Sequence, residues 1–69
     1  MQVLMLLWSG EYLVGVECYR TYGDSDLIAG ANRVRKQFVY DDMGSRPNRC
    51  TIYTIKDGKL ILRGEEGDA

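Results

Sequence analysis

Two cysteines, three close pairs of carboxylates and no histidine are what this chain of 69 residues offers to chemistry. Without histidine the commonest general base and the commonest metal ligand are both missing. Cys18 and Cys50 form no CxxC pair, so the sequence predicts neither a metal site nor a cofactor. Cys18 falls on an apolar strand face and reads as a small buried hydrophobe. Cys50 opens a strand, with Arg49 as its one adjacent cation. Of the carboxylate pairs, Asp24 and Asp26 suit the start of a helix. Asp41 and Asp42 lie where that helix ends, and Glu65 and Glu66 lie near the chain terminus. None has the spacing of a calcium loop, and no glycine motif cradles a phosphate. The sequence predicts no catalytic residue, and a protein that is not an enzyme.

The basic residues are the second candidate set. Arg20 alone precedes position 33, and the others fall between Arg33 and Arg63. Arg33, Arg35, Lys36, Arg46 and Arg49 form a helix-and-loop set that a nucleic-acid phosphate could occupy. The plainer reading is a solvated helix face with charged strand edges. The net charge of −1 favours neither.

These residues need elements to position them. "CTIYTIKDGKLILRG" is two apolar runs joined by Asp57-Gly58, the cue for a type I′ hairpin turn. Its register pairs Lys56 with Lys59, Ile55 with Leu60, Thr54 with Ile61, Tyr53 with Leu62 and Ile52 with Arg63. Tyr53, Ile55, Leu60 and Leu62 then share one face, predicted as the core face. "QVLMLLW" leads through Ser9-Gly10 into "EYLVGVECYRTY". A two-residue loop pairs Leu7 with Tyr12, Met5 with Val14 and Val3 with Val16, an apolar face that extends to Cys18. A bulge at Gly10 would shift this register. Between the hairpins, Leu27, Ala31, Val34 and Phe38 form one helical stripe, with Asp24 or Ser25 as cap and Gly30 beside it. A rival reading makes "KQFVYDD" a strand. "DDMGSRPNR" is a loop.

The order is β-β-α-β-β. It predicts an α+β fold, a four-stranded antiparallel sheet with one helix packed on one face. Residues 1–64 make a single domain, and 65–69 a short acidic, frayed tail. The apolar start lacks a basic n-region and is short, so no signal peptide or membrane span is expected. The chain reads as a complete, cytoplasmic gene product.

One helix covers one face only. Yet residues 3 to 8 are apolar throughout. On the predicted registers Leu4, Leu6, Trp8, Leu13, Tyr19, Ile52 and Ile61 remain on the outer face. A contiguous apolar set of this kind marks an association surface, with Trp8 and Tyr19 of the types enriched at binding hot spots. The sequence therefore predicts a small binding module acting by protein–protein contact, as a homodimer through the outer sheet face or against another protein. An accessory or inhibitor protein fits, such as a phage-encoded blocker of a host complex. The alternative is a nucleic-acid-associated protein using the basic set.

Overall fold

The structure is a computed structural model, described over residues 1–67. Strands β1 (Gln2–Ser9) and β2 (Tyr12–Arg20) form the first hairpin. A 3-10 turn at Asp24–Asp26 leads into α1 (Leu27–Gln37), and β3 (Arg49–Lys56) and β4 (Lys59–Gly67) form the second hairpin. The sheet order is β2-β1-β3-β4, antiparallel throughout. This is the α+β arrangement that the sequence predicts. The two hairpins join through β1 and β3, with Met5 opposite Ile52.

The second hairpin turns as its sequence requires. Asp57 and Gly58 have φ of 52° and 75°, both positive as a type I′ turn demands. The pairs from Lys56–Lys59 to Tyr53–Leu62 form as predicted. Beyond them a bulge intervenes, and Ile52 lies opposite Gly64 rather than Arg63. Glu65 and Glu66, expected in a frayed tail, instead pair with Thr51 and Cys50 as the end of β4. The rest of that tail lies outside the described residues.

The first hairpin turns one residue later than expected. Gly10 and Glu11 make the turn, with Gly10 at φ 60°, so Ser9 pairs with Tyr12 and Trp8 with Leu13. Leu7 then lies opposite Gly15, which leaves Val14 as the extra residue of a bulge. Because side chains alternate, one inserted residue exchanges the faces of all that follow. Val16 and Cys18 leave the predicted core face, and Glu17 and Tyr19 take their place.

The helix side of the sheet carries the core. Val3, Met5, Leu7, Cys50 and Ile52 have no exposed surface, and Leu27 and Ala31 of α1 close over them. Val34 and Phe38 pack at the margin. In β3 and β4 this reverses the predicted phase: Tyr53, Ile55, Leu60 and Leu62 point away from the helix. The reason is steric. The buried β3 residues on that side, Cys50, Ile52 and Thr54, are together smaller than Thr51, Tyr53 and Ile55, and β2 presents Gly15 there. A Cβ on Gly15 would overlap the Phe38 ring.

Phe38 itself lies just beyond the helix. It is the C-cap residue in extended conformation, with its N–H on the Val34 carbonyl at 3.1 Å. The helix start also departs from expectation. No side chain caps it, and the Asp24 carboxylate instead accepts from Arg63 Nη2 at 2.8 Å. The following loop folds on the helix side and against the tip of the first hairpin. Tyr40 donates to the Ser9 hydroxyl at 3.1 Å, and Asn48 N–H to the Trp8 carbonyl at 3.0 Å.

Candidate protein-binding face

The outer face is built in cross-strand rows. Cys18, Leu4, Tyr53 and Leu62 run across all four strands. The next row is Val16, Leu6, Thr51 and Glu65. Toward the first turn, Leu13, Trp8 and Arg49 form a third row. At the other end Arg20, Gln2, Ile55 and Leu60 form a fourth. Leu4, Leu6, Trp8, Tyr53 and Ile55 are half-buried by their neighbours. Leu13, Val16, Leu60 and Leu62 stand more than half exposed. Neither the helix nor the loop reaches this side.

The polar atoms among these rows are largely partnered. Trp8 Nε1 donates to Thr51 Oγ1 at 3.0 Å, and the Thr51 hydroxyl donates to Glu65 Oε1 at 3.3 Å. The Arg49 guanidinium lies over the Trp8 ring, 4.8 Å from its centre, in cation–π geometry. Arg49 Nε donates to the Gly10 carbonyl at 3.2 Å, and Arg49 Nη1 lies 3.9 Å from Glu65 Oε1. Trp8 is thus held between a hydrogen bond at its edge and a cation on its face. Its ring is fixed on the strand pair with Leu13, which stands more than half exposed.

Of the seven residues predicted for this face, Leu4, Leu6, Trp8 and Leu13 are on it. Tyr19 and Ile52 are not. The Val14 bulge turns Tyr19 to the helix side, and the phase of β3 buries Ile52 completely. Ile61 lies opposite Thr54 on the helix side, 43% exposed at the sheet margin. Val16, Tyr53, Ile55, Leu60 and Leu62 are on the outer face and were placed in the predicted core. The Asp57-Gly58 register already groups the last four on one face, and only its direction is missing from the sequence.

The basic set does not gather. Arg33 and Lys36 are exposed on α1 and Arg46 on the loop. Arg35 folds back to Asn32, donating through Nη2 at 3.1 Å, with its Nε buried and unpartnered. Arg49 is on the opposite side of the molecule, over Trp8. A shallow cleft of about 390 Å³ beside the helix brings Arg20 and Arg33 near Tyr19, with Asp26 on its rim. The Tyr19 hydroxyl is buried and unpartnered, and its pKa is raised chiefly by burial.

The cysteines are both free and on opposite faces, as expected, but the faces are exchanged. Cys18 is exposed on the outer side. Cys50 is buried under the helix, where burial pushes its thiol pKa up against the opposing pull of Arg35. A protonated, inaccessible thiol is a poor nucleophile. Among the described residues no group of three or more His, Cys, Asp or Glu could hold a metal ion, and no helix is long and apolar enough to cross a membrane. Comparison with protein-family models, curated proteins and solved structures finds no match.

Proposed function

We propose that this chain is a non-enzymatic binding module that acts by protein–protein contact through the outer face of its sheet. One observation carries the reading: a four-stranded apolar face with a fixed tryptophan, left uncovered by every described element. Apolar patches of this extent on small proteins usually mark association surfaces. A small accessory or inhibitor protein, which blocks a larger complex by occupying one of its surfaces, fits a module of this size. The division of the basic residues between two sides argues against the nucleic-acid alternative.

The test compares immobilised wild type with two double variants in capture from a lysate of the source cell. Trp8→Ala with Leu6→Ser should keep the far-ultraviolet circular dichroism and a cooperative melt, and lose specific capture at least tenfold. Arg33→Glu with Lys36→Glu should leave capture unchanged. Capture that depends on the charged pair and disappears with nuclease would transfer the function to the basic helix. Capture indifferent to the Trp8 variant would move the interface off the outer face.

A further inference from the structure

We propose that the occupant of the outer face is a second copy of this chain, the two sheets packing face to face about a two-fold axis. This rests on the reading of the outer face as a protein-binding surface and names its partner.

Area is the first support. The face is four strands wide. At about 4.8 Å between strands and about 3.3 Å per residue, it presents about 500 Å² of flat surface per copy. Two such faces reach on the order of 1,000 Å² before side-chain relief is added, the lower bound for a specific, weak interface.

Chemistry is the second. The polar groups at the turn end of the face are internally paired, Trp8 to Thr51, Thr51 to Glu65, and Arg49 to Gly10 and Glu65, while Arg20 and Gln2 stand at its far end. Burial against an apolar surface leaves these donors satisfied. The lysines of the second turn belong to the other side of the sheet, and the net charge of −1 opposes self-association only weakly. An isologous contact sets this apolar face against its own equivalent, so the match in polarity is automatic.

Geometry is the third. The edge strands β2 and β4 each carry a bulge, at Val14 and at Arg63. Bulged edges resist pairing with another strand. The flat face is what remains, and sheets stack on one another about 10 Å apart. A one-helix core this thin gains a second apolar layer by doing so.

Sedimentation equilibrium of the purified protein, from about micromolar to millimolar, tests the proposal. The wild type should pass from monomer to dimer. The single tryptophan, Trp8, should shift its emission to shorter wavelength over the same range. Leu62→Lys and Val16→Lys, at positions 60% and 52% exposed, should each keep the fold and weaken dimerisation at least tenfold. A monomeric wild type throughout the range would overturn the second copy as partner. The face would then stand or fall on the lysate capture, where loss with the Trp8 variant keeps it as a site for a different protein. A dimer unaffected by either lysine would equally overturn the proposal and place the contact elsewhere.

Discussion

At the scale of single residues, environment separates groups of the same type. Cys18 and Cys50 have one chemistry and opposite accessibility: one lies exposed on an edge strand, the other has no exposed surface. In dilute native protein a thiol reagent should label Cys18 rapidly and Cys50 only as fast as the domain opens. Equal labelling of both would remove Cys50 from the core. Asp41 is set apart by hydrogen bonds rather than by burial. Its Oδ1 accepts from the Ser45 N–H at 2.9 Å and from the Met43 N–H at 3.0 Å, and these bonds hold its pKa below the usual carboxylate value, the Ser45 bond first. Because the folded value is the lower one, the stabilising contribution is fully present above about pH 3.9, the unfolded value. It is lost as pH falls through the folded value. Melting curves of wild type and Asp41→Asn should therefore differ at neutral pH, with wild type higher, and converge in acid. Coincident curves at neutral pH would show that the charge contributes nothing to the loop.

At the scale of elements, one glycine decides how the residue that ends the helix meets the sheet. Gly15 lies under Phe38, and an added Cβ there overlaps the ring. Gly30 is different: a Cβ at that helical position meets only the Tyr19 hydroxyl, at an ordinary 3.8 Å. Gly15→Ala should thus cost about 1–3 kcal/mol by overpacking. Gly30→Ala should stabilise by about 0.5–1 kcal/mol, through the lower helix propensity of glycine. Thermal melts read both, and a stable Gly15→Ala would mean that Phe38 is free to move aside. The same region shows what the sequence made legible. Element order, the helix, the Asp57-Gly58 turn and most of its register follow from local signals. The direction of each hairpin face does not. In β3, Cys50, Ile52 and Thr54 alternate with Thr51, Tyr53 and Ile55, and both sets are apolar enough for a core. The larger set suggests burial, but the helix selects the smaller one. In β2 a turn displaced by one residue and a bulge at Val14 exchange the faces of Val16, Cys18 and Tyr19. The candidate site was accordingly legible on β1, where Leu4, Leu6 and Trp8 alternate with a fully buried set, and reversed on β3 and β4.

At the scale of the whole molecule, folding and association become one equilibrium if the outer face is an interface. Among the described residues the native core rests on five buried hydrophobic sheet residues closed over by Leu27 and Ala31 of one helix, a thin layer for a domain of this length. Whatever binds the folded state and not the unfolded one raises apparent stability by mass action. If the binder is the chain itself, the melting temperature must rise with protein concentration. In a domain of this size each kcal/mol so gained moves the midpoint by about 4–8 °C. A hundredfold rise in concentration should therefore raise the wild-type midpoint by several degrees. Leu62→Lys should melt at a temperature independent of concentration, close to that of dilute wild type, because its side chain contributes to the contact and little to the monomer core. A wild-type midpoint that also stays constant would leave the outer rows of leucine, tryptophan and tyrosine solvated in the isolated protein, and their partner would then be a different chain.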